Sequence, residues 1–204
     1  MRSNIEAVVI ANGEYPTRKE VLEIINAAPL TVCCDGAADD FIARGGVPDI
    51  IIGDMDSLSD ENKARYSDII IHKADQETND QTKAVQYLLS RGITRIAIVG
   101  ATGRREDHTI ANIALTAEYM AMGAEVVSYT DSGCFIPCRD NKTLQCTPNA
   151  QVSIFNINAT NLTSEGLRYP IYDFTALWQG TLNCCPSGEF TISAKGDYII
   201  FITA

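Results

Sequence analysis

The stretch Ile50-Ile51-Ile52-Gly53-Asp54-Met55-Asp56-Ser57 joins three β-branched apolar residues to two carboxylates two residues apart. Read as a buried strand, the isoleucines deliver Asp54 and Asp56 to the point where the chain leaves a sheet. Two acids so placed suit a hard divalent cation such as Mg²⁺, which takes carboxylate and phosphate oxygens together. Asp and Ser after a strand are also ordinary turn formers, so an isolated pair decides nothing by itself. What matters is whether other acids reach the same place.

Outward from this stretch, short apolar runs alternate with helical spacing. Strands are expected at 7–10, 30–34, 50–52, 68–71, 95–99 and 125–129, and helices at 18–27, 37–44, 79–91 and 107–122, with Gly45, Gly92 and Gly123 as helix stops. This alternation is the signature of a mostly parallel sheet with flanking helices, a Rossmann-like α/β arrangement. After Gly133 the pattern changes. Val152, Ile154 and Ile157 fall near alternation, and 190–193 with 198–202 reads as a hairpin turning on Lys195-Gly196-Asp197. Pro137, Asn141, Pro148 and Asn149 mark a linker and its first turns. Two domains follow, an α/β domain over 1–133 and a small antiparallel one over 134–204.

The 204 residues suffice for one good core or two modest ones, and 46% hydrophobic content is that of a globular chain. Arg2 is the only early basic residue, the first apolar run is too short for a signal peptide, and no window approaches the roughly 18 to 20 apolar residues of a membrane span. A cytoplasmic protein is expected. A net charge of −10 argues against nonspecific nucleic-acid binding and is compatible with a small cationic substrate. Seven cysteines include the adjacent pairs Cys33-Cys34 and Cys184-Cys185, which suit reduced thiols better than a disulfide framework. Cys134, Cys138 and Cys146 have loose spacing and no nearby His, so zinc is not expected.

Each polar cluster of the first domain follows the carboxyl end of an expected strand: Asp35-Gly36, Asp54 with Asp56, residues 75–80, and residues 102–107. Open parallel sheets bind ligands outside those ends, so one shared site is implied. Thr78 and Gln81 have the spacing of a capping box, which would start a helix at Thr78 with Asp80 in its first turn and Lys83 on the same face. Alone, Asp80 and Lys83 would be a common surface pair; beside Asp54 and Asp56 they read as part of the site. The run Gly100-Ala101-Thr102-Gly103-Arg104-Arg105-Glu106-Asp107-His108 brings small residues and two arginines to a strand-to-helix junction, where backbone and guanidinium can approach phosphate oxygens. It is neither a Walker loop nor a full GxGxxG. His108 is read as an ordinary helix residue rather than a catalyst.

Taken in order, Asp35-Gly36-Ala37-Ala38, Gly53-Asp54-Met55-Asp56-Ser57, the run from Asp75 through Gln76 to Lys83, and the Gly100 to His108 run resemble the thiamine pyrophosphokinase family. Gly166-Leu167-Arg168-Tyr169-Pro170 and Gly180-Thr181-Leu182-Asn183 extend the likeness over nearly the whole chain. The resemblance implies an α/β catalytic domain, a β-sandwich thiamine-binding domain and a homodimer. It also implies transfer of a pyrophosphoryl unit from ATP to thiamine, with release of AMP. Carried over by position, Asp54, Asp56 and Asp80 are the Mg²⁺ site. Asp35, Gly36, Thr102, Gly103, Lys83 and Arg105 serve the nucleotide. Asp107, Asn183, Leu182 and Trp178 lie on the thiamine side, with Asp107 able to orient or deprotonate the hydroxyl. Trp178 or Tyr169 could face the thiazolium cation, although Trp178 reads somewhat more readily as sandwich core.

Two departures stand out. Arg104 occupies a position where the family usually has Gly, so either the loop is wider or Arg104 turns outward and Arg105 keeps the phosphate role. Leu182 replaces the usual Ser and removes a hydroxyl from the thiamine side. Two other readings are open: a metal-dependent nucleotide-sugar glycosyltransferase built on Asp54-x-Asp56, and a nonenzymatic thiamine or nucleotide sensor disabled by Arg104 and Leu182.

Overall fold

The computed structural model describes residues 4–75 and 77–204, so Arg2 and Gln76 lie outside the described residues. The chain divides into two compact units, Met1–Asp131 and Ser132–Ala204.

In unit 1, β1 (Ala7–Ile10), β2 (Thr31–Cys34), β3 (Ile50–Gly53), β4 (Ile70–His72), β5 (Arg95–Val99) and β6 (Glu125–Thr130) lie in the order β6-β5-β1-β2-β3-β4, every pair parallel. Between them run α1 (Lys19–Ala27), α2 (Ala37–Ala43), α3 (Asp60–Arg65), α4 (Asp80–Ser90) and α5 (Glu106–Ala121). Alternate strand residues serve opposite faces. Val9, Cys34, Ile52 and Ile98 pack with Ala84, Val85 and Leu88 of α4 and Tyr119 of α5. Val8, Cys33, Ile51 and Ala97 pack with Val21, Ile24 and Ile25 of α1 and Phe41 of α2. Cys33 and Cys34 therefore point to opposite sides of one sheet, which accounts for their adjacency without a disulfide.

Most expected elements appear within a residue or two of their positions. Helices α2, α4 and α5 run on to Gly45, Gly92 and Gly123, whose φ values are +86°, +78° and +101°, whereas α1 ends at Ala28 without a glycine. The strand expected at 68–71 is shifted, because Ser67–Ile69 forms a 3₁₀ turn before β4 begins. Helix α3, capped by Ser59, has no periodic apolar signal: none of its residues is buried, and it is held by Asp39, whose carboxylate accepts from Ser59 N (2.9 Å), Ser59 Oγ (2.7 Å) and Asn62 Nδ2 (2.6 Å).

The chain entering α1 is tied down from the far end of unit 1. Asp131 accepts from Thr17 N (2.9 Å), Thr17 Oγ1 (2.6 Å) and Arg18 N (3.0 Å). Slight burial raises the Asp131 pKa, but these donors more than offset it and hold the carboxyl below its ordinary value. An acid with a depressed folded pKa contributes stability above its unfolded pKa of about 3.9 and loses it as pH falls through the folded value. Asp131→Ala is therefore expected to cost about 1 kcal/mol at pH 7. That cost should shrink as urea melts are repeated down to the most acid conditions; a constant difference would show that packing, not charge, ties the segment.

Unit 2 is an antiparallel sandwich. Its strands are β7 (Gly133–Arg139), β8 (Lys142–Gln145), β9 (Ala150–Asn156), β10 (Thr160–Glu165), β11 (Asn183–Cys185), β12 (Glu189–Lys195) and β13 (Asp197–Thr203). One layer has the order β11-β9-β13-β7, the other β10-β12-β8. Inward residues such as Val152, Ile154, Phe190, Ile192, Tyr198 and Ile200 are buried.

The expected hairpin is absent. β12 pairs with β10 and β8, whereas β13 pairs with β7 and β9, so Gly196 (φ +115°) carries the chain from one layer to the other. Pro137 is likewise no linker residue: it lies within β7 opposite Ile199, in unbroken register with β13, a place its missing N–H can occupy when that ladder does not require it. Ile157 falls past the end of β9 and is exposed.

Candidate functional site

Asp35, Asp54 and Asp56 meet at the carboxyl ends of β2 and β3. Each offers a carboxylate oxygen, and the three lie within 4.8 Å of one another. Asp35 is buried and does structural work there. Its oxygens accept from Ser57 N (3.1 Å) and Leu58 N (3.0 Å), folding the loop after β3 back over the end of β2. A carboxylate has about four lone-pair sites, so these two bonds leave Asp35 able to face an ion. Ser57 Oγ donates to Asp56 Oδ1 (2.8 Å), and Asp56 N lies 3.3 Å from Asp54 Oδ1.

Asp80 borders this cluster. A side chain at Gly53 would place its Cβ 2.9 Å from the Asp35 Cβ and 3.2 Å from the Asp80 carboxylate, so glycine leaves the room both acids occupy. Lys83 Nζ donates to Asp80 Oδ1 (3.0 Å) with only 5% of the lysine side chain and 29% of the aspartate exposed. This is no surface pair. The capping box is not formed: Asn79 is the N-cap and accepts from Thr82 N (2.9 Å), while Thr78 Oγ1 donates to Asp75 (2.6 Å) and Gln81 is buried. Asn fits the cap better than the preceding Thr because its carboxamide reaches that N–H directly. Asp80 nevertheless stands in the first turn.

Crowded negative charge marks the cluster. Burial pushes the Asp35 carboxyl up to about 6, with Asp56 and the charge of Asp80 adding to the effect and the Ser57 and Leu58 amides opposing it. Burial also raises Asp80, against the pull of Lys83, and Asp54 and Asp56 raise it further. An oxygen-only donor set of mutually repelling carboxylates fits a hard divalent cation.

The loops after β1 and β5 are bonded directly to each other. Gly13 N donates to Gly100 O (2.7 Å) and Glu14 N to Thr102 O (2.8 Å); a Cβ at Gly13 would lie 2.4 Å from both the Gly100 and Thr102 carbonyl oxygens, so only glycine permits this approach. Gly103 and Arg104 both turn left-handed (φ +79° and +61°), and the two arginines diverge. Arg104 reaches Asn12 Oδ1 (2.8 Å) and pairs with Asp40. Arg105 forks onto Asp107 (3.1 and 2.5 Å), which holds the Asp107 carboxyl down at about 2. Left-handed backbone costs a non-glycine residue roughly 1–2 kcal/mol. The Arg104 and Asp40 side chains are 51% and 43% exposed, a setting in which an ion pair returns at most about 1 kcal/mol.

Asn112 of α5 is a positioning residue that sequence reasoning missed. Its Nδ2 donates to Ala101 O (2.9 Å) and its Oδ1 accepts from the cap residue Asn79 (2.9 Å), so one side chain sets the loop after β5 against the start of α4. Thr82 Oγ1 and Tyr119 Oη, 2.7 Å apart, lock the same two helices. His108 is exposed on the first turn of α5, as an ordinary helix residue would be.

In unit 2, Asn183 is buried and its amide is consumed locally. Nδ2 donates to Tyr169 O (2.9 Å), and Oδ1 accepts from Tyr169 N (3.1 Å) and Cys184 N (2.8 Å). It clasps the Gly166 to Pro170 element by its backbone. Trp178 is 74% exposed, so it is not core; the loop carrying it, 166–182, passes outside the strands. Leu182 is 71% exposed and left-handed (φ +63°). Among the described residues no disulfide links the cysteines, and none of them contributes to a metal-type cluster.

A doubly wound parallel sheet with an oxygen-donor cluster and paired basic groups on its carboxyl edge, followed by an antiparallel sandwich, defines a two-unit α/β protein suited to a metal-bound phosphate ligand. The thiamin pyrophosphokinase catalytic-domain model matches residues 21–128, and the thiamin pyrophosphokinase substrate-binding-domain model matches residues 133–201. The chain belongs to the thiamin pyrophosphokinase family. It is 32% identical over 132 residues to thiamine pyrophosphokinase 1 of Oryza sativa subsp. japonica, covering 52% of this chain and 49% of that protein, and 28% identical over 156 residues to thiamine pyrophosphokinase 2 of the same plant, covering 64% and 56%. It thus spans about half the length of these relatives. The fold is shared with the thiamine pyrophosphokinase structure from Bacillus subtilis (TM-score 0.81, 18% identity, 97% of this chain and 99% of that one). That from Candida albicans is similar as well (0.79, 18%, 97% and 89%). Among the described residues no helix is long and apolar enough to cross a membrane.

Proposed function

We propose that the chain is a Mg²⁺-dependent enzyme that transfers pyrophosphate from ATP to thiamine, giving thiamine diphosphate and AMP. The observation that carries this reading is the convergence of Asp35, Asp54 and Asp56 beside the Asp80 and Lys83 pair. Asp54, Asp56 and Asp80, joined by Asp35, would hold Mg²⁺, which would supply charge neutralisation for the triphosphate. Lys83 and Arg105 add positive charge at the leaving phosphate, and the backbone of Gly36, Thr102 and Gly103 lines the approach. The thiamine hydroxyl oxygen bonds to the β-phosphorus, the bond from that phosphorus to the α–β bridging oxygen breaks, and the electron pair leaves on AMP. Asp107, held ionised by Arg105, orients the hydroxyl; at a pKa of about 2 it is a weak proton acceptor, so the proton passes to solvent.

On the thiamine side, exposed Trp178 and Tyr169 offer rings to the thiazolium cation, Leu182 supplies apolar surface, and Asn183 fixes the loop that presents them. A homodimer in the cytoplasm completes the reading, supported by the family and by free thiols. Incubation with MgATP and thiamine is expected to yield AMP and thiamine diphosphate in equal amounts. ADP with thiamine monophosphate would overturn the reaction assigned, a nucleoside diphosphate released from a nucleotide sugar would favour glycosyl transfer, and tight thiamine binding without AMP would favour a sensor.

A further inference from the structure

The sheet of unit 1 reverses its winding between β1 and β5, which are neighbours although far apart in sequence, and the crevice between the loops that follow them is where a doubly wound sheet takes its ligand. Arg104 spans that crevice: it springs from the β5 loop, bonds Asn12 of the β1 loop, and ends on Asp40 of α2. The Asn12 amide and the Ser57 Cβ flank Gly36, 3.1 and 3.0 Å from the place a Cβ there would occupy, so the Asn12 that Arg104 bonds lies close to the loop of the acid cluster.

The three cations named at the site are each bonded to an acid: Lys83 to Asp80, Arg105 to Asp107 and Arg104 to Asp40. Asp80 and Asp107 have tasks in the reaction proposed above, whereas Asp40 has none. Arg104 is also the one of the three whose backbone is strained, and a half-exposed ion pair offsets little of that strain. A phosphate group is a stronger partner, because guanidinium binds it through paired, charge-assisted bonds.

We propose that Arg104 is a nucleotide-phosphate contact, which exchanges Asp40 for phosphate oxygens when a nucleotide enters the crevice. The inference rests on the nucleotide reading above and adds a second arginine to the phosphate site, from a position where a glycine would serve the backbone better.

Equilibrium binding of MgATP to the full chain, with thermal melting alongside, tests it. Arg104→Gly is expected to weaken MgATP binding about tenfold while the melting temperature holds or rises, since glycine relieves the left-handed turn. Asp40→Asn is expected to tighten binding about threefold, by releasing the guanidinium from its competing partner. Arg104→Lys should fall between wild type and Arg104→Gly, keeping the charge but losing the fork. Unchanged MgATP affinity in Arg104→Gly, with or without a lower melting temperature, would overturn the proposal and leave a structural ion pair. A chain that shows the expected binding pattern yet makes no thiamine diphosphate keeps the inference and loses the acceptor assignment; a chain that binds no MgATP overturns both.

Discussion

Asp54→Asn is expected to lower thiamine diphosphate formation by on the order of a thousandfold, the scale seen when a group facing transition-state charge is removed, with the melting temperature within a few degrees of wild type. Asn keeps the Oδ1 acceptor that Asp56 N approaches at 3.3 Å, so the loop loses little. What it loses is one of three carboxylates clustered within 4.8 Å, and with it the charge that holds a hard cation. Asp80→Asn should behave alike in turnover. Steady-state assays over a Mg²⁺ series separate weakened ion binding, which excess Mg²⁺ partly restores, from loss of fold, which it does not. Near-normal turnover in both variants would remove the metal assignment.

Lys83→Met should have the largest effect on stability, about 3–5 kcal/mol at pH 7, because it strips the partner from a carboxylate that burial and two neighbouring acids already disfavour. Against a total of roughly 5–15 kcal/mol, such a loss brings the domain near unfolding. The pH dependence has a definite sign. Asp80 is an acid whose folded pKa is raised, and removing Lys83 raises it further, so the penalty is full above that folded pKa and fades as pH falls toward the unfolded value near about 3.9. Urea denaturation at several pH values checks this, and the Asp80→Asn, Lys83→Met double variant should regain most of the loss. A change below about 1 kcal/mol would be that of an exposed pair and would contradict the burial seen at Lys83.

β1 and β5 are legible to the residue because their runs are short and rich in β-branched residues, with β1 entered from Glu6 and β5 closed by Gly100. α3 is not legible, since its stability comes from Asp39 in another helix rather than from a periodic apolar face. The 189–203 region shows the limit of local pattern: alternation around a glycine turn reads the same whether the strands pair with each other or part to different layers. At the site, positions after strand ends located the acids, and the Asp80 and Lys83 spacing placed them on one helix face. Spacing did not tell that Asp35 would join the metal-type cluster while bracing the next loop, nor that Asn112 would join two elements 33 residues apart. Trp178 was not legible as exposed, because a large aromatic has the same letter in a core and on a surface loop.

The layer change at Gly196 has a bearing on biosynthesis. β13 lies between β9 and β7, so the earliest strand of the sandwich must wait, with its hydrogen-bonding edge unsatisfied, until residues 197–203 have emerged from the ribosome. Pairing across so long a loop is slow and leaves sticky edges bare in the nascent polypeptide. A premature stop only a few codons before Asp197 would therefore open the middle of a layer rather than trim its border, and the product should be a substrate for chaperones and proteases.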